Sequence, residues 1–376
     1  SWRRKIGRLN PWKESAIEKD RVTLPKILNS KGYYTACVGK WHLGFDWPWK
    51  GGEKPPNSVI GKGTSTATCD LFDWSQPIKG GPLGAGFNYY FGDDIPNMPP
   101  YAFIENDRLT CDPVDVNGRA LKKQQGMQGG YIHGDGPGEK GWRLEAVMPA
   151  ITAKAVETIQ QQSKTPEPFF LLFSTTSPHS PIVPTAEFQG KSKAGPYGDF
   201  IVQTDHAVGQ IVAALKRAGI FENTLVLVSS DNGPAPFMRE QIQTHQHHPS
   251  GPLRGLKRDL LEGGHRVPFI ASWPQGGVHG GRRIDELLSL MQTAQLDYTG
   301  TFRALAAMLR DATTPSVFGA DNLIAAHWVT RWRAQLDVQG VDLALVADSM
   351  DAVNPVYIPR NHLVEEELAA ANQGDM

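Results

Sequence analysis

Three stretches of this chain are apolar at nearly every position: PFFLLFSTT (168–176), TLVLVSS (224–230) and VPFIASWP (267–274). Each has the length of a strand. None alternates as a strand wetted on one face would, so each needs cover on both sides. Segments of helical period lie between and before them. WRLEAVMPAITAKAVETIQQQ (142–162) sets Val147, Ile151, Ala155 and Ile159 on one stripe. DFIVQTDHAVGQIVAALKRAG (199–219) sets Ile201, Val208, Val212 and Leu215 on another, with Gly219 as its stop. Apolar strands alternating with helices predict an α/β fold, with a central, mostly parallel sheet flanked by helices.

The pattern begins earlier in the chain. VTLPKILNSK (22–31) has helical spacing, Thr23 as a cap and Pro25 in the first turn. Gly32 stops it, and residues 33–39 of GYYTACVGKWHLG read as a strand. Residues 44–140 are rich in Gly, Pro, Trp and Asp and show little period, which predicts long loops with short strands. From about residue 285 the strands stop. ELLSLM, YTGTFRALAAMLRD, NLIAAHWVTRWRAQL and RNHLVEEELAAA read as successive helices. The expected division is therefore an α/β domain over 1–285 and an all-helical segment over 286–376.

The net charge of −1 in 376 residues gives no field that would gather nucleic acid or an anionic membrane. The three cysteines, Cys37, Cys69 and Cys111, are far apart and form no CxxC, so neither a disulfide framework nor a zinc site is indicated. No apolar run approaches the roughly 18 residues of a membrane span. The first residues, SWRRKIGRLN, carry neither an initiator Met nor the apolar core of a leader. An upstream leader remains compatible with them, and compartment stays open.

In open sheets of this kind, ligands sit beyond the carboxyl ends of the strands. Lys40 and His42 follow the 33–39 strand, and His179, between two prolines in SPHSP, follows the 168–176 strand. Asp231 and Asn232 follow the 224–230 strand, and Lys257 lies in the loop before the 267–274 strand. Asp231 and Asn232 offer hard oxygen ligands suited to Ca²⁺ or Mg²⁺, though two ligands are too few for a complete site and DNGP also suits a plain turn. Lys40 and Lys257 suit an oxyanion, or simply a solvated surface. His42 and His179 can move protons near neutral pH, or serve the packing. Asp93 and Asp94 in FGDDIPNMPP are adjacent carboxylates, but no apolar strand is read as leading into them. THQHHP (244–249) lacks metal-site spacing and reads as a polar loop. Taken together, a hard metal, two lysines and two histidines suit attack on a sulfate or phosphate ester, with a histidine protonating the leaving oxygen.

Several long stretches, in order, resemble the type I sulfatases of the alkaline phosphatase superfamily, particularly arylsulfatase-like members. They are GYYTACVGKWHLG, PPYAFIENDR, FFLLFSTTSPHSPIVPTAEFQGKS, GPYGDFIVQTDHAVGQIVAAL, TLVLVSSDNGP and LRGLKRDLLEGGHRVPFIASWP. The resemblance implies an alkaline-phosphatase-like sandwich and calcium-assisted hydrolysis of sulfate esters on small molecules or saccharides. It makes Asp231 and Asn232 calcium ligands, with Lys40 and Lys257 on the sulfate group. It sets His42 beside the nucleophile and has His179 protonate the leaving oxygen. Arg254 and Arg266 lie in the same motifs as structural residues. A secreted or periplasmic parent suits such an enzyme.

The resemblance also implies a formylglycine nucleophile, made from a C/S-x-P/A-x-R motif that precedes the GKWHLG stretch, and an Asp-Asp pair near the N-terminal end. Cys37, Cys69 and Cys111 do not fit that motif. The expectation is a chain truncated at its start, without nucleophile or first core strand, with little or no turnover. It would also fold with difficulty, because losing a central strand exposes its neighbours' edges. Beyond about residue 286, LDYTGTFRALAAML and NPVYIPRNHLVEEEL resemble the C-terminal region of selenoprotein-O-like protein adenylyltransferases, without that family's nucleotide-binding motifs. The alternatives to a sulfatase are a phosphodiesterase or phosphonate hydrolase of the same superfamily, and a noncatalytic fusion fragment.

Overall fold

The computed structural model describes residues 11–56, 66–124, 132, 134–236, 243–276, 287, 290–311, 323–338 and 340–353. Its strands, in chain order, are β1 (Tyr34–Gly39), β2 (Phe45–Asp46), β3 (Lys79–Gly80), β4 (Tyr89–Gly92), β5 (Ile104–Glu105), β6 (Arg108–Leu109), β7 (Val114–Val116), β8 (Gly136–Gly138), β9 (Phe169–Ser174), β10 (Val226–Ser229) and β11 (Phe269–Ser272). The longer helices are α1 (Leu24–Ser30), α2 (Val147–Gln162), α3 (Gly195–Arg217), α4 (Tyr298–Asp311), α5 (Leu323–Val338) and α6 (Leu343–Val353). The chain forms two compact units, one of residues 1–220 and 237–249, the other of 221–236 and 250–376. This is a division of packing, distinct from the change of sequence character near residue 285.

The first unit is built on a mixed five-stranded sheet in the order β6-β5-β4-β1-β9. β1 lies between β4 and β9 and runs parallel to both. β5 and β6 extend the sheet antiparallel. Thr23 caps α1, its hydroxyl accepting from the Lys26 N–H at 3.4 Å, and the chain turns through Gly32 in the left-handed region (φ +82°) into β1. On one face of the sheet, α2 buries Val147, Ile151, Ala155 and Ile159, the stripe its spacing predicts. Leu171 and Phe173 of β9 pack on the same core.

Helix α3 departs from its expected face. Leu215 is buried as expected, but the rest of the buried side is Phe200, Gln203, Ala207 and Ala214, while Ile201 is 40% exposed. Polar contacts turn it. The Gln203 side-chain oxygen accepts from the Thr185 N–H at 3.0 Å, and the Asp199 carboxylate accepts from the N–H groups of Gly190 and Ser192 at 2.8 and 2.7 Å. These bonds satisfy loop backbone that would otherwise be buried without partners. They draw the 199/203 side of the helix inward and leave Ile201 at the surface.

The loop-rich segment has its own interior. Trp12, Phe45, Trp47, Trp49 and Phe72 are buried together with Cys37 and Tyr90 on the other face of the sheet. Trp49 stacks on Phe72 at 4.3 Å and Trp12 meets Trp47 edge-on at 5.0 Å between ring centroids. Aromatic area here replaces regular structure as the source of burial.

In the second unit, β10 and β11 pair antiparallel with each other. This corrects the expectation that both join a parallel sheet covered on both faces. Leu227 and Phe269, whose side chains stand on the faces of the ribbon, are 55% and 60% exposed. Helices α4, α5 and α6 bury Leu305, Met308, Ala325 and Trp328, and Arg310 of α4 forms ion pairs with Asp348 and Asp351 of α6. The NPVYIPRNHLVEEEL stretch lies outside the described residues.

Candidate active site

β4, β1 and β9 end together. Val38 pairs with Phe91, and Gly39 pairs with Ser174. Both strand-end glycines are steric necessities. A Cβ on Gly39 would fall on the Ser174 carbonyl oxygen, and one on Gly92 would fall on the Gly39 carbonyl oxygen. Residues that follow these strands therefore issue from neighbouring points. Lys40 N–H donates to the Ser174 carbonyl at 2.9 Å, Trp41 N–H to the Asp93 carbonyl and His42 N–H to the Asp94 carbonyl, both at 3.0 Å. His42 takes a left-handed backbone (φ +52°), a conformation that costs a non-glycine residue energy and sets the direction of its ring.

Asp93 and Asp94 were not read as the end of a strand, and the structure corrects this. β4 is only four residues long but leads directly into them. Asp93 is 1% exposed and Asp94 3%. Both oxygens of Asp93 and one of Asp94 are buried without a hydrogen-bond partner. Burial pushes both carboxyls up to about 7, against the pull of the Lys40 ammonium.

His179 lies on the exposed loop after β9, flanked by cis peptide bonds at Ser177–Pro178 and Ser180–Pro181. Its Nδ1 is 2.6 Å from the Ser180 carbonyl oxygen. A carbonyl only accepts, so Nδ1 carries the hydrogen in this contact and Nε2 points onward. His245, from the THQHHP run, has its ring against Gly195, where any side chain would collide. That is a packing role.

The other three candidates gather in the second unit. Asp231 and Asn232 follow β10, and the Asn232 side-chain amide donates to the Asp231 carboxylate at 2.6 Å. Lys257 N–H donates to the Pro234 carbonyl at 2.7 Å and Gly233 N–H to the Gly264 carbonyl at 2.9 Å, which fastens the Lys257 loop to the DNGP turn. Asp259 accepts the Leu256 N–H at 2.8 Å and tightens that loop. As a calcium centre the donor set is short: Asp231 and Asn232 give two oxygen-bearing side chains where Ca²⁺ takes about 6–8 oxygens. Among the described residues no group of three or more His, Cys, Asp or Glu stands together as a metal cage.

One stretch spells the nucleophile motif and went unread in the sequence: SGPLR, Ser250–Arg254. It follows the GKWHLG segment instead of preceding it, and the Ser250 hydroxyl is buried without a partner. That placement does not suit a nucleophile.

The Sulfatase family profile matches residues 5–307 of this chain. The chain belongs to the sulfatase family. The matched range continues past residue 285. An N-acetylgalactosamine-6-O-sulfatase of Bacteroides thetaiotaomicron is 30% identical over 95% of this chain and 71% of its own length. The mouse N-acetylgalactosamine-6-sulfatase is 28% identical over 76% of this chain and 46% of its own. Human arylsulfatase A is 29% identical over 71% and 45%. The chain thus spans about half the length of the mammalian sulfatases it matches. Among solved structures, a Bacteroides thetaiotaomicron 6S-sulf protein from a glycosaminoglycan-metabolising locus superposes with a TM-score of 0.59 at 29% identity, covering 73% of this chain and 59% of that one. The mixed sheet and its flanking helices are those of the alkaline-phosphatase-like sulfatase fold, and the C-terminal region that follows them is helical among the described residues. No described helix is long and apolar enough to cross a membrane.

Proposed function

We propose that this chain carries the substrate-binding and proton-transfer part of a sulfate ester hydrolase acting on sulfated saccharides or aryl sulfates. The observation that carries the reading is the common end of β4, β1 and β9 in a sulfatase-family chain, from which Lys40, His42 and the His179 loop all issue. N-acetylgalactosamine-6-sulfatases among the relatives favour a sulfated amino sugar as substrate.

In this reading Lys40 holds nonbridging sulfate oxygens, offsetting charge that grows as the ester bond breaks. His179 acts as the acid. The Ser180 carbonyl keeps one proton on Nδ1, so the imidazolium's other proton sits on Nε2. That proton passes to the leaving oxygen, and the ring returns to the neutral Nδ1–H form. His42 assists expulsion of sulfate. Asp231 and Asn232 contribute to a calcium site that needs further oxygen donors, and no step here depends on it. The formylglycine nucleophile expected of the family has no suitable position in this sequence, so this chain alone should turn over little or no ester.

The test is an assay of the protein expressed from its full reading frame, comparing a 6-sulfated N-acetylgalactosamine and an aryl sulfate with a phosphate diester. Sulfate release that falls about 10²-fold or more in Lys40→Ala supports the reading. Diester cleavage exceeding sulfate release moves it to the phosphodiesterases. No release of either marks a noncatalytic fragment.

A further inference from the structure

The Asp93–Asp94 pair has no part in the reaction just described, yet it is the least comfortable feature of the first unit. Two adjacent carboxylates are buried at the end of β4, with three of their oxygens unpartnered. Burying ionised carboxylates this way is costly unless a positive charge stands near. The cation that bears on both is Lys40. The two segments are also fastened through the backbone, Trp41 N–H to the Asp93 carbonyl and His42 N–H to the Asp94 carbonyl. Tyr90 closes the cluster from below, its hydroxyl donating toward the carbonyls of Asp93 and Gly39 at 3.0 and 3.2 Å.

We propose that Asp93 and Asp94, fastened by backbone hydrogen bonds against the segment that follows Lys40, act on Lys40 as a buried charged pair and set how much of its charge reaches an anion bound there. The proposal rests on the reading of Lys40 as a sulfate contact. The titratable groups facing the pair are few. Cys37 of β1 and Tyr90 of β4 are fully enclosed, and burial drives both far above neutral, so they carry no charge. His42, after β1, meets Asp94 through its backbone N–H. Below neutral pH the carboxylates are largely protonated and leave the Lys40 charge uncompensated. Above neutral pH both ionise, the three-group cluster becomes net negative, and an anion is repelled.

The test is calorimetric titration of the full chain with inorganic sulfate at about pH 6 and about pH 8.5. The wild type should bind about tenfold or more weakly at the higher pH. Asp93→Asn with Asp94→Asn keeps the volume and removes the charges, and should flatten that dependence. His42→Gln removes any share of the step carried by that ring, and the share that remains should be flattened by the amide variants. Asp94→Asn alone serves if the double variant fails to fold, and should reduce the step. A purely structural role would lower the unfolding temperature of the amide variants and leave the pH step intact. That outcome overturns the proposal while the sulfate reading stands. So does a step that vanishes in His42→Gln and survives in the amide variants. If the wild type binds no sulfate at either pH, the functional reading falls and takes this one with it.

Discussion

β1 and the β10–β11 ribbon begin from similar material and end in opposite states. Both consist of small β-branched and apolar residues, and both deliver polar residues at a turn. β1 lies between two parallel neighbours and is buried from Thr35 to Gly39. β10 has a single antiparallel partner and alternates half-buried with exposed along its length. An apolar strand is therefore not stabilised by its composition. It is stabilised by what lies on its two faces and two edges, and β1 has α2 above, the tryptophan cluster below and a strand on each side. The candidate residues inherit the difference: Lys40, His42, Asp93 and Asp94 sit on a rigid strand end, while Asp231, Asn232 and Lys257 depend on a few loop hydrogen bonds.

Substitutions should break the comparison in proportion to burial. Trp12→Ala empties the centre of the tryptophan cluster beneath β1 and should cost about 3–5 kcal/mol in urea unfolding followed by far-ultraviolet circular dichroism. A loss under about 1 kcal/mol would mean the cluster does not support the sheet. A second test uses pH. The folded carboxyls of Asp93 and Asp94 sit at about 7, against an ordinary value of 3.8. Between those values the folded state holds more protons than the unfolded one, so stability falls as pH rises through that window and levels off above it. The urea midpoint should be higher at about pH 5 than at about pH 8, and the slope should flatten in the Asp93→Asn, Asp94→Asn variant. At the smallest scale, Leu227→Ser and Phe269→Ser on the ribbon should shift stability by no more than about 0.5 kcal/mol. Light scattering on heating should meanwhile decrease, because exposed apolar surface has been made polar.

The elements most legible in the sequence are those whose cover is itself encoded nearby. Residues 33–39 read correctly as a strand and are buried from Thr35 to Gly39. Residues 168–176 read correctly as a strand, although β9 lies at the sheet edge and is only half-buried, with Leu172 39% exposed. Of the predicted helix 142–162, α2 forms over Val147–Gln162 after a short turn at Leu144–Ala146. The 224–230 and 267–274 runs read correctly as strands, but periodicity carries no information about partner or direction. The stripe expected for helix α3 holds at Leu215 and fails at Ile201, because Asp199 and Gln203 are drawn inward by loop N–H groups that no hydrophobic pattern reports. Helix α6 was not singled out. Of the candidate site, Lys40 and His42 were legible from the glycine that ends their strand. The enclosed Asp93–Asp94 pair was not, since YYFG is too short to signal a strand and two aspartates ordinarily signal a surface.

The tryptophan cluster has a spectroscopic consequence. The ring centroids of Trp47 and Trp49 lie 5.0 and 6.0 Å from that of Trp12, and Phe72 is stacked against both Trp49 and Trp74. Indoles this close couple their electronic transitions, so the folded loop region should give a strong near-ultraviolet dichroic couplet that an unfolded or loosely collapsed chain cannot produce. The part of the molecule with the least regular secondary structure is thereby the part whose correct assembly is easiest to see in a cuvette.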